Sequence, residues 1–501
     1  MAESSHAEEH AGDPSKRVGP QIGRLLAGLC VLFALLYFVA RGGNFSTARP
    51  ALSQIGNVVS ASDGNAARCG PNRADGRPID FTMLFGTDKR TWIELSADRF
   101  ARLCPNIQVK LAPLDDSDAI PAILSGSAEP GVWSPTDALS LQVLQHRWSL
   151  QQERPPLSIV EHTNLLESPL VLLIWEDRLR VLSTLLAREP EPERLWMHLL
   201  CPMVSQSPSQ ADGASVQKPP ASWADWYVSL HVDRHSKSAP SDHSASTEVS
   251  SLPTLTELQS WGKVKIASPK PTRSTIGAAT LYLLASDYLI PSMATQGLLG
   301  DSRQATVQVQ TQPKEALGIA RSVEEEFPKK KDQLKKWLRR CQIGQRTSFV
   351  PEQTLAESMF NLGPSEFDAV VTTEPLALRL LGQIDSHQGS GVPLHVVYPN
   401  PTIVFRHPAF LFPMDAERQQ AAQKWIEFLL SEESQRMAIE QGFRPVHPKG
   451  SRLLQESVSH RFLRLRRFGV QVQPQLHEPP APKGQRMQDL LTLWGDATGR
   501  Y

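Results

Sequence analysis

Short hydroxyl and carboxylate side chains occur where predicted strands end or predicted helices begin. These residue types suit noncovalent binding of a small polar solute. A hydroxyl both donates and accepts hydrogen bonds, and a helix start offers free backbone N–H groups. A chain of 501 residues is long enough to form two lobes, and two facing lobes would bring such side chains to one shared cavity. The candidate ligand-binding residues are Thr87, Asp88, Ser134, Thr136, Ser168, Ser274, Thr275 and Glu374.

A second interpretation stays open for these positions. Serine and threonine at helix starts are common N-caps, whose oxygen accepts from the helix's own N–H groups. Glu374 either faces a solute or caps the helix that begins at Pro375. Asp88 and Glu374 also weigh against a simple anion site, because a carboxylate repels an anion unless it is paired or protonated.

Motifs for covalent or metal chemistry are missing from the sequence. It has no nucleophile elbow, HExxH zinc motif, phosphate-binding loop or paired-cysteine zinc pattern, so we expect no enzyme activity, no metal and no cofactor. His231, Asp233 and His235 have a spacing that would place two imidazoles on one face of an extended segment, as a copper or zinc site needs. Because their surroundings are rich in Ser, Pro, Gln and Lys, a solvated linker is the simpler interpretation.

The elements that must position the candidate residues alternate between strands and helices. Ile79–Phe85 and Ile107–Leu111 are predicted strands, and Thr275–Leu289 is a predicted helix. Ser168–Trp175 is a continuous apolar run, typical of a strand buried on both faces. The pattern predicts an α/β fold with a mostly parallel sheet, whose ligands bind beyond the carboxyl ends of the strands.

The stretch Ala421–Pro445 reads AAQKWIEFLLSEESQRMAIEQGFRP. Its apolar spacing predicts two amphipathic helices, and Gly442 ends the second one. As a sequence it resembles the closing segment of bacterial extracellular solute-binding proteins of the periplasmic-binding type II family. Further short motifs resemble that family in the same order along the chain, and the closest similarity is to the branch often found beside von Willebrand type A domains. These motifs are Val132–Pro135, Ser168–Val171, Lys270–Gly277, Phe367–Glu374 and Tyr398–Pro399 with Pro408.

The resemblance implies a two-lobed fold. Lobe 1 would comprise residues 78–167 and, with the C-terminal tail, 396–501; lobe 2 would comprise 168–395. The strands at Ser168 and Tyr398 would link the lobes. The polar composition of residues 201–253 predicts a disordered insertion in lobe 2.

The function that the resemblance implies is capture of a small polar solute between the lobes, outside the cytoplasm, for transport or signalling. An oxyanion is the narrower expectation. The implied partners are a permease or a von Willebrand type A domain protein. The alternative is an interaction or scaffold module that keeps the fold without a ligand. The insertion, the membrane anchor, and Thr373 in place of the family's aromatic residue favour that alternative.

The N-terminal region predicts a membrane anchor at residues 22–40, with 1–21 in the cytoplasm and 41–77 as a flexible tether. The acidic residues before the apolar run fit a cleaved signal peptide poorly, although that alternative stays open. The protein would then be a single-pass protein of the cell membrane with its main domain outside.

Charge and cysteine content agree with this placement. Lys and Arg together number 52, as do Asp and Glu, so no basic excess indicates nucleic-acid binding. Outside the apolar run, Cys69, Cys104, Cys201 and Cys341 would meet an oxidising compartment. A Cys69–Cys104 disulfide and free buried thiols remain equally open.

Overall fold

The fold was analysed from a computed structural model. The predicted tail 1–21 and anchor 22–40 lie outside the described residues, as do most of the tether 41–77 and most of the insertion 201–253. Among the helices that are described, none is both long and apolar enough to cross a membrane. The structure describes residues 69–70, 76–151, 155–186, 200–201, 222–225, 253–290, 313–341, 352–387, 393–456 and 460–500.

The strands of the described part form two sheets, as expected for a two-lobed α/β fold. The strands are β1 Ile79–Phe85, β2 Ile107–Pro113, β3 Val132–Ser134, β4 Glu161–Asn164, β5 Leu166–Trp175, β6 Ile266–Ala267, β7 Ala369–Thr373, β8 Leu394–Val397, β9 Val404–Phe405, β10 Pro408–Leu411 and β11 Arg444–Pro445.

Helices separate most of these strands. Two short 3-10 helices, Thr87–Lys89 and Arg466–Phe468, are also present in the described ranges. The α-helices are α1 Arg90–Leu103, α2 Asp116–Ser125, α3 Ala138–Ser149, α4 Glu176–Leu186, α5 Leu255–Trp261, α6 Thr275–Leu289, α7 Pro313–Leu338, α8 Glu352–Leu362, α9 Glu374–His387, α10 Ala416–Leu429, α11 Glu432–Glu440, α12 Gly450–Glu456, α13 Arg461–Arg464 and α14 Gly484–Thr498.

The first sheet has the order β2-β1-β3-β10-β4. β1 pairs in parallel with β2 and β3, so their carboxyl ends meet at one edge. β10 lies between β3 and β4 and is antiparallel to both. Buried Phe81, Met83 and Trp425 belong to the core between this sheet and α10. The strand predicted at Ile79–Phe85 is confirmed with the same bounds.

The second sheet is built around the long strand β5. β7, β8, β9 and β11 all pair antiparallel with β5, and β6 pairs in parallel with β7. The mostly parallel sheet predicted from the sequence is therefore wrong here, because the chain enters this sheet on β5 and leaves it on β8 and β9, which run in the opposite direction. Every residue of β5 except Glu167 is buried, which explains its continuous apolar sequence. The helix predicted at Thr275–Leu289 is confirmed, and Ser274 is its N-cap. A side chain at Gly277 would collide with the carbonyl oxygen of Pro269, so this helix start can pack closely only with glycine there.

The return to the first sheet occurs later than the predicted boundary at residue 396. β8 still pairs with β5 in the second sheet, and so does β9 at Val404–Phe405. The chain joins the first sheet only at β10. The two crossing segments therefore lie side by side, with Ser168 on one and His407 on the other.

The C-terminal tail contacts both lobes. α12, α13 and the turn after it add Leu453, Phe462 and Phe468 to the core of the second sheet. α14 packs against α3 of the first lobe and against α6 and α7 of the second. Its buried Trp494 belongs to a core cluster that contains residues of both sheets.

Two disulfides are present. Cys69 is bonded to Cys104, which decides between the alternatives that the sequence left open, and Cys201 is bonded to Cys341. Cys201 begins the predicted insertion, so this segment is fixed to the end of α7 at that point. The sequence separation of 140 residues carried no local signal for the second pairing.

Candidate functional site

A polar cavity of about 490 Å³ lies between the two lobes. On the first-lobe side its lining follows the carboxyl ends of β1, β2 and β3, where an open α/β sheet leaves a crevice. On the second-lobe side it is formed by the start of α6, the end of β7 and the start of α9. The lining is rich in hydroxyl and charged side chains.

Five of the eight predicted site residues line this cavity: Thr87, Asp88, Thr136, Ser274 and Thr275. The first three belong to the first lobe and the last two to the second. Ser274 acts as an N-cap as well, because its hydroxyl oxygen accepts from the backbone N–H of Gly277 at 3.1 Å.

The other three predicted residues, Ser134, Ser168 and Glu374, lie outside the cavity lining and are fully buried. Ser134 ends β3, and its hydroxyl has no hydrogen-bond partner within the described part of the chain. A side chain at a strand end points to either face of the sheet, and the sequence did not fix which one.

Glu374 forms a buried ion pair rather than a cavity wall. The guanidinium of Arg444 donates to both carboxylate oxygens at 2.7 Å, and the hydroxyl of Tyr398 donates to one of them. Arg444 also donates to the carbonyl oxygens of Gln471 and Val472. This pair joins α9 to the Gly-Phe-Arg-Pro segment, residues Gly442–Pro445, and thereby gives that segment a structural role.

Ser168 contacts a histidine that the sequence analysis did not single out. Its hydroxyl oxygen lies 2.8 Å from Nε2 of His407, and Nδ1 of His407 lies 3.4 Å from Asp88 Oδ2. The second contact is within ion-pair distance but lacks hydrogen-bond geometry. Burial lowers the pKa of His407 to about 3, so the imidazole is neutral at physiological pH.

The contacts from serine to histidine to aspartate resemble a hydrolase triad. In a hydrolase, however, the serine faces the substrate, whereas here the aspartate faces the cavity. Asp88 lines the cavity, whereas Ser168 is fully buried at the far end. A nucleophile must reach its substrate, and a base with so low a pKa accepts a proton poorly. The chain of contacts connects the cavity wall to the two crossing segments instead.

Asp116 is a buried carboxylate of the cavity with three hydrogen-bond donors. Its oxygens accept from Ser140 Oγ at 2.7 Å, from Thr275 Oγ1 at 2.8 Å and from the backbone N–H of Thr136. Burial raises its pKa to about 6, although the charge of Lys89 and these hydrogen bonds work in the opposite direction. Because Thr275 begins α6, this carboxylate lies at the start of a helix of the other lobe.

Asp88 is compensated differently. The buried ammonium of Lys89 lies 3.0 Å from its Oδ1. Burial is the largest single influence and raises the pKa of Asp88, but the charge of Lys89, the neighbouring His407 and the hydrogen bonds from Lys89 together hold that pKa below its ordinary value.

Charged residues of the cavity are segregated by lobe. All of its aspartates are on the first-lobe side: Asp88, Asp115, Asp116 and Asp118. All of its basic side chains are on the second-lobe side: Lys270, Arg273 and Arg379. The sequence analysis named only Asp88 among these seven. Asp115-Asp116-Ser117-Asp118 begins two residues after the end of β2, as Thr87 does after β1, so the strand-end argument that selected Thr87 would have selected these residues too.

No group of His, Cys, Asp and Glu side chains in the described ranges is arranged to hold a metal ion. Predicted His231, Asp233 and His235 lie outside the described residues.

The sequence model of the family described as bacterial extracellular solute-binding protein matches residues 81–444. The chain belongs to this family. The match confirms the family predicted from the short motifs, and it includes nearly all of both sheets and all of the described cavity lining. No curated protein sequence matches the chain.

Solved structures with a similar fold are remote in sequence. The substrate-binding protein of an ABC transporter from Agrobacterium tumefaciens is 14% identical, with a TM-score of 0.40, covering 85% of this chain and 96% of its own. A Trichodesmium protein in complex with iron and citrate is 12% identical, with a TM-score of 0.41, covering 84% and 100%. A ferric binding protein from Campylobacter jejuni is 11% identical, with a TM-score of 0.40, covering 83% and 99%.

Proposed function

We propose that this solute-binding protein captures a small polar solute in the cavity between its lobes and passes it to a permease outside the cytoplasm. The observation that carries the proposal is the cavity of about 490 Å³ at the strand ends, with hydroxyl and charged side chains from both lobes. A volume of this size holds a small molecule. Hinge motion at the two adjacent crossing segments would open and close it.

A thermal-shift screen of the full-length protein tests this function. A solute that binds only the native state raises the melting temperature by mass action. Amino acids, sugars and oxyanions such as molybdate and sulfate are the screening classes. A solute whose effect saturates and is abolished by filling the cavity with Thr275→Trp supports the proposal. If no class shifts the melting temperature, solute capture is wrong.

The absence of covalent chemistry is part of the same proposal. The triad-like set has its serine buried away from the cavity, and the pKa of His407 is too low for a general base at neutral pH. Hydrolysis of ester or amide probes that was lost in Ser168→Ala would contradict this.

We also propose that residues 22–40 are retained as a membrane anchor, since the preceding acidic residues fit a signal peptide poorly. Mass spectrometry of the mature protein is expected to find the segment, and a mature N-terminus beyond residue 40 would refute it.

The alternative of an interaction module without a ligand has its own support. α14 packs on helices of both lobes, and the Asp116–Thr275 hydrogen bond joins the lobes with no solute between those two groups. A lobe pair held in this way would serve as a rigid surface for a protein partner, such as one with a von Willebrand type A domain. A negative solute screen together with partner binding would favour this function.

A further inference from the structure

Within the proposed function, we propose that the solute is a zwitterion, with its cationic group against the aspartates of the first lobe and its anionic group against the basic side chains of the second. The inference rests on solute capture in this cavity and narrows it to one chemical class. It replaces the narrower expectation of an oxyanion.

The first-lobe wall presents hydrogen-bond acceptors. The backbone N–H of Thr87 donates to Asp115 at 3.0 Å, and the Thr87 hydroxyl donates to the same carboxylate. The hydroxyl of Thr136 points to Asp88 at 3.4 Å, and that of Thr275 donates to Asp116. Each of these threonine hydroxyls therefore donates its proton to an aspartate, and the lone pairs on the hydroxyl oxygens remain available as acceptors. Such a wall binds a donor, and a cation is the strongest donor for a carboxylate.

Asp116 carries charge that the described part of the protein does not compensate by an ion pair. It is only 5% exposed, and the donors to its carboxylate are two neutral hydroxyls and a backbone N–H. Asp88, by contrast, has the ammonium of Lys89 at 3.0 Å. A buried carboxylate without an ion-pair contact is costly even with the charge of Lys89 nearby, and an ammonium group of a solute would reduce that cost.

The second-lobe wall has the opposite character. Neither Arg273 nor Arg379 has a carboxylate within ion-pair distance in the part of the chain that the structure describes, and both line the cavity. Burial lowers the pKa of Lys270, and the positive charges of Arg273 and Arg500 lower it further. Positive charge thus accumulates on this wall, and a carboxylate or phosphate group of a solute would compensate it.

Single-charge solutes satisfy only half of the cavity. An inorganic anion that contacts the basic wall also meets the field of four aspartates, and a simple cation meets three basic residues. A zwitterion places each charge against its opposite, which is how complementary charges select a partner. The lining also contains the buried apolar side chains of Trp92, Leu376 and Phe443, which suit a short hydrocarbon segment between the two charged groups.

Isothermal titration of the full-length protein at pH 7.5 tests the class with matched probes. The zwitterions are the twenty standard amino acids and 5-aminopentanoate. Each is compared with the carboxylate that lacks its amino group and with the amine that lacks its carboxylate; for 5-aminopentanoate these are pentanoate and pentylamine. Molybdate, sulfate and a sugar panel complete the set. We expect at least one zwitterion to bind about tenfold or more tightly than both of its single-charge analogues.

Two variants assign the walls. Asp116→Asn and Arg379→Gln should each weaken binding of that zwitterion about tenfold. Asp116→Asn should not weaken binding of the carboxylate analogue, and Arg379→Gln should not weaken binding of the amine, because each change removes a charge that repels that analogue. Asp98→Asn and Arg102→Gln remove the same charges from exposed positions of α1 outside the cavity and should change nothing.

The outcomes separate the two proposals. If molybdate or sulfate binds more tightly than every zwitterion, the zwitterion class is wrong while solute capture stands. The same holds if the tightest solute is an uncharged sugar. If no probe of any class binds, both the zwitterion and the solute-binding function are wrong.

Discussion

The hydroxyl of Thr275 donates a 2.8 Å hydrogen bond to the carboxylate of Asp116, and this bond joins the two lobes across the cavity. Thr275 is the first residue of α6, so the carboxylate lies where a helix start attracts negative charge. The protein thus supplies its own carboxylate at a position where an anionic solute would otherwise bind. Asp116 both limits anion entry and holds the lobes together, which makes it the most informative residue to change.

Asp116→Asn should alter how stability depends on pH. The pKa of Asp116 is raised to about 6 in the fold, so between pH 4 and 6 the folded state binds a proton that the unfolded state has lost. Stability contributed by this group therefore falls as pH rises through that window. Two pH units correspond to roughly 3 kcal/mol. The asparagine variant loses this term, so its unfolding free energy should rise more steeply with pH than that of the wild type.

His407 supplies the opposing term. Its pKa is lowered to about 3, so between pH 3 and 6.5 the unfolded state binds a proton that the folded state does not, and stability rises with pH. Urea unfolding of the wild type and Asp116→Asn at several pH values between 4 and 6, without solute, isolates the Asp116 contribution, because the His407 contribution is common to both proteins. Parallel curves for Asp116→Asn and the wild type would contradict the assignment of the raised pKa to Asp116.

Ser168→Ala should destabilise the protein by about 1–3 kcal/mol, because it leaves the buried Nε2 of His407 without its partner at 2.8 Å. Ser125→Ala is the matched control, since this serine is exposed, and its change should stay within about 0.5 kcal/mol. Urea unfolding at pH 7 measures both. Equal stability of the two variants would mean that the Ser168–His407 contact does not stabilise the crossing segments.

Glu374→Gln should cost about 3–5 kcal/mol of folding stability, because it leaves the guanidinium of Arg444 buried without its counter-charge. The control is Glu432→Gln, which breaks an exposed pair with Arg436 and should change stability far less than Glu374→Gln does. Since Glu374 does not line the cavity, solute affinity of the folded variant should be unchanged. If Glu374→Gln lost solute affinity but kept normal stability, Glu374 would belong to the binding site after all.

Local patterns in the sequence predicted the strand ends. The cavity lies there because an open α/β sheet leaves a crevice beyond the carboxyl ends of its strands. The local patterns did not predict which side chains are held by distant partners. Ser168 meets His407 across 239 residues and Glu374 meets Arg444 across 70. Both pairs depend on how the crossing segments and the Gly-Phe-Arg-Pro segment pack on β5. The later crossing back to the first sheet has the same origin, since two-residue β9 is too short to show a period.

Part of the insertion 201–253 is expected to be needed for stability, contrary to the disorder that its composition predicts. Trp223 is 1% exposed, and its indole N–H donates to Asp368 at 3.0 Å. Its ring packs edge-on against Trp261. Asp368 is fully buried and also contacts Arg178 and Lys265. The indole therefore covers a buried ion-pair cluster of the second lobe.

Trp223→Phe should cost about 1–3 kcal/mol, because Asp368 loses one charge-assisted hydrogen bond while most of the aromatic packing is kept. Trp223→Ala should cost about 3–5 kcal/mol, since it also opens a cavity. Replacing 205–221 and 231–250 by short Gly-Ser linkers, with 222–230 retained, should leave stability within about 1 kcal/mol of the wild type, because these two stretches contain few large apolar residues. Deleting 205–250 entirely should match the alanine variant. If the full deletion melts like the wild type in chemical denaturation, Trp223 does not stabilise the second lobe and the composition argument was right for the whole insertion.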